Sequence, residues 1–159
     1  MLTVQIDDRA VRARFDAMPA KVRASLERTV YTLAEKLRSH IIQDKLLGQV
    51  LNRRTGRLGQ SIQQKVETNS SGITGIVYSA GDVKYAAIHE FGGHISAHEI
   101  VAKNAQALSF SMGGKQIFAK RVNWPGATMP ERSFMRSSLA DMKQEIIDKM
   151  TLAVKDAAQ

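Results

Sequence analysis

The side chains richest in chemistry crowd into one short segment. His89, His94 and His98 lie within ten positions, interleaved with Glu90 and Glu99, and they are three of the chain's four histidines. A zinc protease sets two histidines at i and i+4 on a helix and follows the first with a glutamate. Both imidazoles then face the metal and the carboxylate takes a proton from the bound water. Here His94 follows His89 at i+5, and Gly92-Gly93 interrupts any helix between them. His94 and His98 do have the i, i+4 interval, but Ile95 follows His94. A zinc site built from His89, His94, His98 and a glutamate would therefore depend on loop geometry. The spacing fits better a glycine-terminated helix followed by a polar loop, with no metal and no cofactor expected.

Other catalytic arrangements are absent from the sequence. Cysteine is missing, so thiolate chemistry and disulfides are excluded, and no GxSxG elbow presents a serine. No pair of carboxylates stands out for acid–base work. Gly114-Lys115 is followed by Gln116, and neither a P-loop nor a GxGxxG turn can be built from Gly56, Gly59, Gly92, Gly93, Gly113 and Gly114. No catalytic residue is expected.

A second cluster is basic. Arg53, Arg54 and Arg57 lie on the glycine-containing stretch Gln49–Gln60, where guanidinium groups can reach phosphates. The chain's net charge of +8 is concentrated there and upstream. Arg9 to Arg57 holds twelve Lys or Arg against four Asp or Glu, and the remainder holds eleven of each sign. Such asymmetry implies an acidic partner, either nucleic acid or an acidic protein surface. Aromatic residues make up 6% of the chain, too few for a base-stacking platform.

The elements that must position these groups follow from periodicity. Leu2, Val4 and Ile6 alternate as in a short strand. Val22, Leu26, Val30, Leu33, Leu37, Ile41 and Leu46 form the apolar stripe of a long helix, with Pro19 in its first turn and Gly48 as its stop. Strands are expected over Ser61–Thr68 and Gly72–Ala80, joined by the turn residues Asn69–Gly72 and closed by Gly81-Asp82. Tyr85–Phe91 reads as a short helix ended by Gly92, with Tyr85, Ile88 and Phe91 turned to the sheet. Ala107–Met112 and Gln116–Val122 flank Gly113-Gly114 as a hairpin would. Pro130 is expected to open a final helix, with Phe134 anchoring it one turn later. Residues 48–60 and 93–106 are expected to be flexible loops within one domain spanning 1–159.

The expected class is therefore α+β: a mostly antiparallel sheet, with a long N-terminal and a long C-terminal helix packed on it and a short inserted helix. Hydrophobic residues reach 43%, enough for a core. No apolar run approaches the roughly 20 residues that span a bilayer, so no membrane partner is expected. The opening residues MLTVQIDDR lack the basic and apolar stretches of a secretory leader, so synthesis in the cytosol is expected.

Three segments in order carry a resemblance. Arg54-Thr55-Gly56-Arg57-Leu58-Gly59-Gln60-Ser61-Ile62 precedes the first pair of strands, Tyr85-Ala86-Ala87-Ile88-His89-Glu90-Phe91-Gly92 follows it, and Met129-Pro130-Glu131-Arg132-Ser133-Phe134-Met135-Arg136 leads into the last helix. Together they resemble the signature of the tail-completion or head–tail joining (neck) proteins of long-tailed bacteriophages. Serine stands at position 133 where that family usually has a second proline.

The resemblance implies a structural virion morphogenesis protein, made in the host bacterial cytoplasm and assembled as a ring in the neck. Its implied partners are other copies of itself, connector or head-completion proteins, tail-terminator or tail-tube proteins, and packaged DNA in the channel. Gly56, Tyr85, Glu90, Phe91, Gly92, Pro130, Arg132 and Phe134 would then be structural. The Arg53–Arg57 loop, His94, His98 and the Gly113-Gly114 tip would make contacts. An ion pair between Glu90 and Arg132 is expected to link the last two segments. The alternative is a basic nucleic-acid-binding accessory protein; a metal-dependent hydrolase using His89–His98 ranks below it.

Overall fold

A computed structural model of the chain describes residues 20–81 and 83–158. The strand expected over Leu2–Ile6, the helix start near Pro19, and Asp82 lie outside the described residues. The α+β class expected from the sequence is the class observed. The described residues form two compact units, one from residues 20–91 with 131–158 and one from residues 92–130.

In the larger unit, helix α1 (Ala20–His40) buries Val22, Leu26, Leu33 and Ala34, which are positions of the apolar stripe and its flank. It runs on into a wider, π-type segment, Ile41–Gln49. Gly48 leaves helical geometry there at φ +127°, and the Val50 and Leu51 amides both donate to the Lys45 carbonyl. A short helix, α2 (Arg57–Ser61), leads into the antiparallel pair β1 (Ile62–Asn69) and β2 (Gly72–Ser79). The turn between them is tied by Asn69, whose Oδ1 accepts from both the amide and the hydroxyl of Ser71.

Helix α1 lies on this pair, and Gly75 explains how closely. A Cβ at that position would stand 3.0 Å from Val30 Cγ1 and 3.4 Å from the Ala34 Cβ. Helix α3 (Tyr85–Phe91) follows, and the chain ends in α4 (Met135–Ala158), which packs along α1. Two apolar clusters hold the unit. One joins Ala34, Ile41, Leu46, Ile62, Val77, Ala86, Phe134 and Met135; the other joins Val22, Leu26 and Ala153.

The smaller unit consists of antiparallel two-stranded ribbons. Strand β3 (Gly93–Ile95) pairs with β8 (Ala127–Met129), β4 (His98–Val101) with β7 (Arg121–Trp124), and β5 (Leu108–Met112) with β6 (Lys115–Ala119). The expected hairpin is present, and its two glycines adopt φ +59° and +79°, as a tight two-residue turn requires. Residues 93–106, expected to be a loop, instead contain β3 and β4. Their partners lie 20 to 36 residues away, from Val101–Arg121 to Gly93–Met129, a distance that local turn signals do not reveal. Val122, expected in the hairpin, belongs to β7 and pairs with Ile100. Among the described residues no helix is long and apolar enough to cross a membrane.

Candidate functional site

The short helix α3 turns the expected packing inside out. Its buried residues are Ala86 and Glu90, one turn apart, while Tyr85 and Phe91 are 40% and 54% exposed. The aromatic residues of the segment therefore do not pin it to the sheet; a carboxylate ties it instead to the residues that open α4. Glu90 is fully buried, and a charge there is tolerable only if it is fully partnered.

The partners come from the residues that open α4. Oε2 of Glu90 accepts the amide N–H groups of Phe134 (2.8 Å) and Met135 (2.9 Å). Oε1 accepts the Arg136 amide (2.9 Å), the Ser133 hydroxyl (2.7 Å) and the Arg136 Nε–H (3.1 Å). The first amides of a helix have no intrahelical acceptor and carry the positive end of its dipole. Glu90 satisfies three of them at once, as a cap donated from elsewhere in the chain. Arg136 closes the clasp by donating through Nη2 to the Glu90 carbonyl (2.8 Å) and to Glu131 (3.0 Å). Its guanidinium lies over the Phe91 ring at 4.7 Å. A further backbone bond joins the Arg132 amide to the His89 carbonyl at 2.7 Å.

Burial pushes the Glu90 carboxyl up, but the Met135, Arg136, Ser133 and Phe134 donors outweigh it and hold the group below its ordinary range. All five hydrogen bonds to the carboxylate come from its own chain, and they engage it in holding the start of α4. His89, beside it, is lowered by burial and by the nearby Arg132 charge, and its Nδ1 is buried without a hydrogen-bond partner.

Two expectations are corrected by this geometry. Glu90 pairs with Arg136 and not with Arg132. Arg132 precedes the helix and contributes its backbone, whereas Arg136 lies in the first turn beside the capping carboxylate. Pro130 does not open the last helix either: α4 begins at Met135, five residues on, because the Glu90 carboxylate holds the amides of residues 134–136. Phe134 is fully buried, as expected of a core anchor, and Gly92 ends α3 at φ +67°.

The remaining candidates lie apart in type and setting. His94, on β3, has Nδ1 3.3 Å from the Thr128 hydroxyl. His98, on β4, donates from Nδ1 to the Ser96 carbonyl at 2.9 Å and has its ring centroid 5.1 Å from that of Trp124. Among the described residues no group of three or more His, Cys, Asp or Glu side chains converges as metal ligands would. Arg53, Arg54 and Arg57 are exposed. Gly56 adopts φ +79°, and a Cβ there would meet the Arg53 guanidinium at 2.8 Å, so the absence of a side chain is what seats Arg53. Sequence reasoning missed Arg136 and Ser133 as clasp residues; the i, i+4 pairing of Ala86 with Glu90 on one helix face was the available signal. The chain matches no family model, no curated protein and no solved structure.

Proposed function

We propose that the chain is a structural, non-enzymatic component of a bacteriophage virion, a tail-completion or neck protein that joins tail to head as a ring of copies. The observation that carries the reading is the Glu90 clasp. It binds together Tyr85–Gly92 and Met129–Arg136, two of the three segments that carry the resemblance to neck proteins. It also gives the one buried acid among the described residues a purely architectural task. The clasp leaves Tyr85 and Phe91 outside, as apolar anchors of the kind that carry protein interfaces.

A closed ring needs one patch to meet a different patch on the next copy. The exposed aromatic face of α3, the His94–His98 segment and the Gly113-Gly114 tip supply such patches. Connector and tail-tube proteins would meet the two rims. The mechanism is interface formation with no bond chemistry. Electron microscopy of particles assembled without the protein tests this reading. Filled heads and separate tails are the expected outcome, and normally joined virions would sink it.

A further inference from the structure

The excess positive charge of the first third is not equally available. Among its described cations, Lys36 pairs with Glu145 (2.5 Å), Arg38 with Glu35 (2.9 Å) and Lys45 with Asp141 (2.6 Å). Those charges are neutralised within the fold. Arg53, Arg54 and Arg57 behave differently. All three are exposed, none forms an ion pair among the described residues, and no Asp or Glu occurs between Asp44 and Glu67. Gly56 seats the Arg53 guanidinium against the loop backbone, so part of the ordering cost of that long side chain is met before any partner arrives.

From this we infer that the Arg53–Arg57 loop is a binding surface for the phosphodiester backbone of double-stranded DNA, read without regard to base sequence. The choice of phosphate over an acidic protein surface rests on what surrounds the arginines. Asn52, Arg53, Arg54 and Thr55 form an exposed, wholly polar stretch. Protein docking depends on a buried apolar or aromatic anchor at its centre, and this stretch offers none. Phosphate binding needs only forked cations and counterion release, which three exposed arginines within five positions of the sequence supply. The absence of aromatic side chains from residues 47–62 removes base stacking as a contribution. The surface is independent of the neck reading and stands whether or not the protein joins heads to tails.

Fluorescence anisotropy with the full chain and a labelled duplex of random sequence tests the assignment. The variant carrying Arg53→Gln, Arg54→Gln and Arg57→Gln is set against one carrying Lys143→Gln, Lys149→Gln and Lys155→Gln. The second set removes the same charge from exposed positions of α4. The loop variant is expected to bind at least about tenfold more weakly at low salt. Its plot of log affinity against log salt should be shallower by about 2.7, since each phosphate contact contributes about 0.9. The α4 variant is expected to change far less.

Phenylglyoxal modification of the unaltered protein gives a second reading: bound duplex should protect Arg53, Arg54 and Arg57. The inference is overturned by no duplex binding at low salt, by equal losses in the two variants, by unprotected loop arginines, or by polyglutamate binding as tightly as DNA. These assays need no phage particle, so their failure and the failure of the head–tail joining test are separate results.

Discussion

Every buried residue among those described lies in residues 20–91 or 131–158, and none lies in residues 92–130. The larger unit is a helix–hairpin layer with two apolar clusters and a fully partnered buried acid. The smaller unit is strand-rich, yet Met112 and Phe118 are about two-thirds exposed and its ribbons are each only two strands wide. Backbone ladders and a few solvent-facing cross-strand contacts, such as His98–Trp124 and Glu99–Arg121, hold it in register, and a two-stranded ribbon without a packed face is marginally stable in water. Secondary structure and stability are thus distributed differently along one chain. The lesson is that a regular hydrogen-bond pattern does not by itself imply resistance to opening.

Native-state hydrogen exchange should show the largest contrast. Amides paired across β5–β6 and β4–β7 are expected to open at a cost of roughly 0–2 kcal/mol, as fraying segments do. Amides in the centres of α1 and α4 should approach the global stability, on the order of 5–15 kcal/mol. Equal protection in the two units would remove the distinction between them.

The same substitution should then have unequal effects. Phe134→Ala empties a fully buried site and is expected to cost about 3–5 kcal/mol in urea unfolding. Phe118→Ala trims an exposed ring and should cost under about 0.5 kcal/mol. A comparable loss at Phe118 would mean that the hairpin is packed in solution, which for an isolated chain would point to self-association; sedimentation would detect it.

Glu90→Ala strands three helix amides and the Arg136 charge, and should cost roughly 2–4 kcal/mol. The clasp also fixes a direction for pH. Because the folded carboxyl titrates below its ordinary value, its stabilisation is complete above the unfolded value and is lost as pH falls through the folded one. Stability of the unaltered protein should decline on the acid side. Glu90→Gln should be less stable at neutral pH and flatter with acid. An acid profile unchanged by Glu90→Gln would show that the loss comes from other carboxylates, such as Asp141, which is lowered by its hydrogen bonds to Lys45 and His40.

These contrasts follow the division between what the sequence declares and what it conceals. The stripe from Val22 to Leu46, the β1–β2 hairpin and the Gly113-Gly114 turn were all readable, because their signals are local periodicity and turn chemistry. The ribbons β3–β8 and β4–β7 were not, because their pairing is non-local and their residues are short and exposed. Around α3 the aromatic positions mislead: Tyr85 and Phe91 carry the apolar area, so the pattern points them to the core, and charge points Glu90 to an ion pair with Arg132. The structure buries the acid because three amides from a distant helix start make that burial tolerable. No periodicity in Tyr85–Phe91 encodes a cap contributed more than forty residues away.

The smallest effect concerns surface charge and asks whether the two units also order their side chains differently. Lys36 and Glu145 bridge α1 and α4 at 2.5 Å, and Arg121 and Glu99 bridge β7 and β4 at 3.3 Å. Both pairs are largely solvated, so each is expected to couple by less than about 1 kcal/mol. They differ in what anchors them. The first joins two helices already fixed by packing, so little further backbone ordering is needed to hold the charges together. The second joins strands with no buried side chain beneath them. Double-mutant cycles with alanine should therefore give about 0.5 kcal/mol for Lys36–Glu145 and a smaller value for Glu99–Arg121, both vanishing at high salt. A larger coupling for Glu99–Arg121 would mean that the β4–β7 ribbon is as well ordered as the helices, and would argue against placing residues 92–130 at the low-stability end of the chain.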